Sequence, residues 1–183
     1  VICISRLLKQ KGVIEFIEVA RKFKLLSNSK KVKFLLIGEI EKKHDDKIDE
    51  KYILDAENEK IIKRINQTND VKSFLHQSDI LFLHSYREGA PSVIIEASAA
   101  QMPTVGSDAV GVRDLIIDGK TGYITEVKNI DLAYKALLKL IENKNLIEQF
   151  GKDAYIQIAK PVNIKISTSK QIEAYNRGNI LVF

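Results

Sequence analysis

The chain has 183 residues, 45% of them hydrophobic and 29% charged, with a formal net charge of +5. That length suits one well-buried domain and is too short for two of ordinary size. No apolar run approaches the ~20 residues that span a bilayer, no leader pattern is present, and a single cysteine, Cys3, excludes an internal disulfide.

The positive charge is carried by lysines interleaved with Glu and Asp, densest over residues 22–33, and reads as a solvated face. Neither zinc spacing nor an aromatic-laced basic strand points to nucleic acid. The histidines His44, His76 and His84 do not group as ligands, so no metal site is expected.

Residues 1–5 are a short continuous apolar run, read as a strand that buries Cys3 as a small hydrophobe. A strand that begins at Val1 leads us to expect a piece of a longer protein. Residues 6–12 are a polar loop. Val13, Ile14, Phe16, Ile17, Val19, Ala20 and Phe23 then recur at helical spacing to about Leu26. Residues 32–38 form a second buried strand ending in Gly38, and the charged residues 39–50 form a surface loop. Between Tyr52 and Ile65 we expect a helix and the start of a weak third strand. Asp70 caps a short helix to about Leu75.

Residues 79–84 are a strong central strand, followed by a Gly/Pro loop and a helix opening near Pro91 as its first residue. Residues 103–107 give another strand, residues 112–118 a short helix stopped by Gly119, and residues 122–125 a last strand. Asn129 caps a helix over 131–142, and a further helix runs from about Asn145 to Ala159. Pro161 breaks the pattern, and 167–175 reads as a terminal helix. We expect one domain over 1–160 and a tail over 161–183.

Apolar strands alternating with helices predict an α/β, Rossmann-like, doubly wound parallel sheet in three layers, α/β/α. Ligands of such sheets bind at the carboxyl ends of the strands, near a switch in strand order. Arg6 and Lys11 follow the first strand there, Gly38 the second, and residues 85–91 the strong central one. A lysine in the first turn opposes the helix dipole unless an anion sits beside it, so Arg6 and Lys11 make a phosphate site or, more blandly, a solvated loop. There is no Walker string and no Gly-x-Gly-x-x-Gly after the first strand, which disfavours a nicotinamide or flavin dinucleotide.

Glu88 lies in the loop, and Glu96 interrupts the apolar run Val93-Ile94-Ile95-Glu96-Ala97. A carboxylate there costs free energy unless hydroxyl or N–H groups satisfy it. The open N–H groups and small residues of Gly89, Ala90, Pro91 and Ser92 admit an anionic ligand close to the backbone. The bland readings are a solvated Glu88 and a Glu96 paired to a structural Arg or Lys. Together, two cations, a helix N-terminus and two hydroxyl-seeking carboxylates describe a nucleoside-diphosphate sugar.

The chain resembles the carboxyl-terminal domain of retaining glycosyltransferases of the GT-B fold, family 4 type (glycosyl transferases group 1). The Glu-x7-Glu motif is matched by Glu88 and Glu96. The Gly-Arg-Leu-x3-Lys-Gly motif is matched from Ser5 to Gly12, with Ser5 in place of Gly, and Asp-Gly-x-Thr-Gly by Asp118 to Gly122. The likeness covers about residues 1–155. It departs at Asn66, Gln101 and Val110, where Gly is common, and at His84, where Pro is common.

The resemblance implies that Arg6 and Lys11 hold the donor diphosphate and stabilise the leaving group. By the same likeness Glu88 and the turn from Gly89 to Ser92 serve the sugar and phosphates, and Glu96 binds the ribose. The base would lie near Gly38, Glu39 and residues 64–66. No metal or other cofactor is implied. The partners implied are a nucleotide-sugar donor and an amino-terminal Rossmann domain absent from this chain, with a cytoplasmic setting and peripheral membrane contact of the whole enzyme. A 2-epimerase half of the same fold would add acids and histidines to the site. A non-catalytic nucleotide-sugar-binding module is the alternative from another class. A flavodoxin- or receiver-like domain would want an acidic cluster where Arg6 stands.

Overall fold

The computed structural model describes residues 1–26 and 32–159; the expected helix over 167–175 lies outside them. Six strands form one parallel sheet: β1 (Ile2–Ile4), β2 (Leu35–Ile37), β3 (Lys63–Ile65), β4 (Leu81–Leu83), β5 (Thr104–Ser107) and β6 (Gly122–Thr125). Their order is β3-β2-β1-β4-β5-β6, so the chain reverses its direction of growth between β1 and β4. Ile2, Cys3 and Ile4 of β1 align with Leu35, Leu36 and Ile37 of β2, and Ile2 with Leu81 of β4.

The helices are α1 (Val13–Leu26), α2 (Glu50–Asn58), α3 (Val71–His76), α4 (Ser92–Ala99), α5 (Ile130–Glu142) and α6 (Lys144–Ala159). Side chains alternate across the sheet, as a period of two requires. Cys3, Leu36, Phe82 and Val105 share one core with Phe16, Ile17, Ala20 and Phe23 of α1 and with Ala133 and Leu137 of α5. Ile2, Ile37, Leu81 and Leu83 share the other with Leu75 of α3 and with Ile94 and Ala97 of α4. Burial pushes the Cys3 thiol up to about 12, so it behaves as an inert hydrophobe.

Caps fall where short polar side chains stand before apolar periodicity. Asp49, Asp70 and Asn129 each accept from a backbone N–H of the following turn. The weak third strand is real and forms the sheet edge. Pro91 occupies the N-cap of α4, one position before the expected start.

The expected helix over 112–118 is corrected to a single 3-10 turn at Arg113–Leu115. The Asp114 carboxylate accepts from Gly111 N–H at 3.0 Å, and the Thr121 hydroxyl from Ile117 N–H at 2.8 Å. The Asp114 bond closes the turn's start, the Thr121 bond takes the Ile117 N–H away from a continuing helix, and Ile116 turns extended and is buried against α4's core. The Asp118 carboxylate accepts from Ile124 N–H at 2.8 Å. The Asp-Gly-x-Thr-Gly string thus builds the turn that feeds β6. Among the described residues no helix is long and apolar enough to cross a membrane.

Candidate functional site

At the carboxyl end of β1 the chain enters a loop whose last turn is a 3-10 segment, Lys9–Lys11, closed by Gly12 at φ 71°. This loop is held from two sides. The N–H groups of Lys9 and Gln10 bond to the carbonyl and carboxylate of Asp46, and the Gln10 carbonyl accepts from Tyr86 N–H at 2.8 Å. Gly12 lies flat on the end of β4: a Cβ there would come within 2.5 Å of the His84 carbonyl carbon. Only a glycine lets the two strand-end loops approach this closely.

That approach joins Lys11 to Glu88. Lys11 Nζ donates to Glu88 Oε1 at 2.7 Å, with both side chains largely shielded (17% and 14% exposed). The two residues are 77 apart in sequence, yet each follows a strand flanking the reversal point. Glu88 N–H is in turn fixed on the Val110 carbonyl at 3.0 Å. Neither residue is the solvated loop charge of the bland reading.

The loop continues through Gly89 and Ala90, both exposed, and the buried Pro91 into α4. Among the described residues nothing bonds the N–H groups of Gly89 and Ala90. Ser92 is exposed at the first position of α4, one turn before Glu96. Desolvation pushes the Glu96 carboxyl above its ordinary range, and the neighbouring Ser92 hydroxyl offsets part of that rise. No Lys or Arg pairs with Glu96 among the described residues, so it is not half of a structural ion pair. Arg6 is exposed on the same loop as Lys11. Gly38 is buried at the end of β2, its N–H on the Ile65 carbonyl at 3.0 Å. Arg64 pairs with Glu57 at 2.9 Å and donates to the Asn66 side chain at 2.7 Å.

Residues 1–157 match the profile of the glycosyl transferases group 1. The chain belongs to that family. The capsular polysaccharide biosynthesis glycosyltransferase CapM of Staphylococcus aureus is 28% identical over 175 residues, covering 94% of this chain and 44% of CapM. A variant of S. aureus TarM, crystallised with UDP, superposes with a TM-score of 0.76 at 29% identity, covering 96% of this chain and 34% of that one. The carboxyl-terminal domain of the group 1 protein LpcC from Francisella tularensis shares the fold, with a TM-score of 0.74 at 24% identity over 90% of this chain and 86% of that one. The chain therefore spans less than half the length of CapM.

Within this group 1 domain, the His84 backbone packs against Gly12 of the Lys11 loop, but its ring is turned into the core. It is fully buried, stacks on Phe82 with ring centroids 5.5 Å apart, and bonds to the Thr125 hydroxyl at 2.8 Å. Burial drives its pKa down to about 4. Among the described residues no three His, Cys, Asp or Glu side chains gather as a metal site. A concavity of about 1240 Å³ opens at the opposite, amino-terminal end of the strands, beside Val1, Phe34, Ile62 and Ile80. It touches none of Arg6, Lys11, Glu88, Glu96 or the turn over 89–92, although it reaches Glu57 and Ile65.

Sequence reasoning missed Glu15 and Tyr86. Glu15 is 4% exposed in the first turn of α1, and accepts from the Tyr86 hydroxyl at 2.6 Å. Burial, then the Glu15 bond, hold the Tyr86 phenol above its usual range. A signal was present: Glu15 stands four residues before the core residue Val19 on one helical row.

Proposed function

We propose that this chain is the donor-binding half of a retaining glycosyltransferase that transfers a sugar from a nucleoside-diphosphate sugar to a polysaccharide, lipopolysaccharide or glycolipid acceptor. The observation that carries it is the meeting of Lys11 and Glu88 at the switch point, beside the open N–H groups that lead into α4. The UDP in the TarM crystal and the biosynthetic role in CapM's name support the same reading.

Each side chain then has a task. Lys11 and Arg6 face the diphosphate and offset the charge that grows on it as the glycosidic C–O bond breaks. Gly89 and Ala90 offer N–H groups to phosphate or sugar oxygens. Glu96, desolvated and without a cation, accepts from the ribose hydroxyls. Glu88 releases Lys11 to the diphosphate and turns to the sugar. The acceptor hydroxyl attacks the same face of the sugar, and a leaving-group phosphate oxygen takes its proton, so no metal is required. The acceptor is held by an amino-terminal Rossmann domain outside this chain, at the cytoplasmic face of the membrane. An epimerase site would place a histidine beside the sugar, and the His84 side chain is fully buried.

Calorimetric titration of UDP, GDP and ADP and their sugars into the chain tests this. Lys11→Ala and Glu96→Ala are each expected to weaken the preferred nucleotide about tenfold or more, the effect of losing a charge-assisted bond. Glu88→Gln should leave the nucleoside diphosphate bound at least as tightly, because it frees Lys11, while weakening the sugar nucleotide. A chain that binds none of these nucleotides overturns the proposal.

A further inference from the structure

Glu15 is the one carboxylate in the core-facing row of α1, and its placement is otherwise hard to account for. It is 4% exposed, and among the described residues its Oε2 has no hydrogen-bond partner and only the Tyr86 hydroxyl meets its Oε1, at 2.6 Å. A buried carboxylate so sparsely satisfied costs stability, and an apolar side chain at this position of the helix would avoid the cost. What it gains is a tie between two loops.

Tyr86 makes that tie twice. Its backbone N–H bonds to the Gln10 carbonyl, one residue before Lys11, and its hydroxyl bonds to Glu15, four residues after Lys11. Two residues beyond Tyr86 comes Glu88, the counter-ion of Lys11. Lys128 Nζ lies 4.7 Å from the centroid of the Tyr86 ring, which further fixes the ring's position. Lys11 and Glu88 must part when an anion takes the lysine. The Glu15–Tyr86–Gln10 contacts do not involve either charged head group, so they persist when the ion pair opens.

We propose that Tyr86 and Glu15 are positioning residues that hold the Lys11 loop and the Glu88 loop at a fixed separation, so that Lys11 is presented to a diphosphate when Glu88 lets go. This rests on reading Lys11 and Glu88 as part of the donor site.

The test is a double-mutant cycle on the 183-residue chain, read by calorimetric titration of UDP, GDP and ADP. Tyr86→Phe removes one hydroxyl and keeps the ring. It is expected to weaken the nucleotide about fivefold, the effect of one net hydrogen bond. In a Lys11→Ala background the same change is expected to do nothing further, because it acts through Lys11. Glu15→Gln keeps an acceptor for the phenol and should retain wild-type affinity, whereas Glu15→Leu should match Tyr86→Phe.

Equal fold-losses from Tyr86→Phe with and without Lys11 would overturn the brace, since a general loss of stability adds independently. So would wild-type affinity in Tyr86→Phe. Both results leave the donor-site reading intact, provided the wild-type chain binds a nucleotide. A wild-type chain that binds none of UDP, GDP and ADP removes the donor-site reading and the brace with it.

Discussion

Gly12 and Gly119 share a backbone conformation, φ 71° in each, and differ in what surrounds them. A Cβ on Gly12 would overlap the His84 carbonyl, within 2.5 Å of its carbon and 2.9 Å of its Cβ, whereas one on Gly119 would meet nothing within 4 Å. Replacing each with alanine therefore separates the cost of the left-handed backbone from the cost of the contact. The backbone term is roughly 1–2 kcal/mol, offset by about 0.5–1 kcal/mol because alanine stiffens the unfolded chain. Gly119→Ala should thus lose about 1 kcal/mol.

Gly12→Ala adds a methyl pressed against backbone, which cannot rotate aside. Restoring ordinary contact requires about 1 Å of movement between the end of β4 and the Lys11 loop, an overpacking cost of about 2 kcal/mol. The total is about 3 kcal/mol. At a urea dependence of about 2 kcal/mol per molar for a domain of this size, the midpoint falls by about 1.5 M for Gly12→Ala and about 0.5 M for Gly119→Ala. Urea unfolding followed by circular dichroism measures both. Equal midpoints for the two variants would refute the claim that close packing on His84, rather than φ, makes Gly12 irreplaceable. Because the movement displaces Lys11 from Glu88, only Gly12→Ala should also weaken UDP binding.

Two desolvated titratable groups predict opposite dependences of stability on pH. The pKa of Glu96 is raised by desolvation, so its contribution is full below the unfolded value near 4.5 and is lost as pH rises through the folded value. Glu96→Gln should therefore be more stable than wild type at pH 7, with the gap narrowing toward pH 4, even as the variant loses nucleotide affinity; a variant less stable at pH 7 would contradict this. The pKa of His84 is lowered from 6.5 to about 4. Its contribution is full above 6.5 and falls by about 3 kcal/mol as pH drops to 4, since the unfolded chain takes up a proton the folded one excludes. In His84→Gln that part of the acid slope should vanish from urea midpoints measured between pH 7 and pH 4; an unchanged slope refutes it.

The sheet was legible because its strands are buried on both faces, and such strands read as unbroken apolar runs: Ile2-Cys3-Ile4, Leu35-Leu36-Ile37, Leu81-Phe82-Leu83. Where side chains set the backbone locally, periodicity misled. Residues 112–118 carry a helical pattern of apolar positions, but the Thr121 hydroxyl captures the Ile117 N–H that a helix would have used. Lys11 and Glu88 could be nominated separately because topology places strand-end loops together. Their direct pairing could not, since nothing in a sequence says how far apart two loops stand across a glycine. The Tyr86–Glu15 bond is hidden for the same reason: the residues are 71 apart, and only the packing of Gly12 on β4 brings them into reach.

The Lys11–Glu88 pair also explains how an unoccupied anion site at a helix start is tolerated. An unpaired ammonium in that position opposes the dipole of α1 and is partly desolvated, both unfavourable. Glu88 offsets this in the unliganded domain, and it does so from a loop whose backbone is anchored independently, at Tyr86 and at Val110. On the proposed donor-site reading, a diphosphate carries more charge than one carboxylate and engages the N–H groups of Gly89 and Ala90 as well, so it wins the exchange. The displaced carboxylate is left beside the arriving sugar. On this reading one glutamate serves as internal counter-ion when the site is empty and as sugar ligand when it is full. On the same reading Glu96, eight residues on within α4 and paired to no cation among the described residues, serves the nucleoside alone.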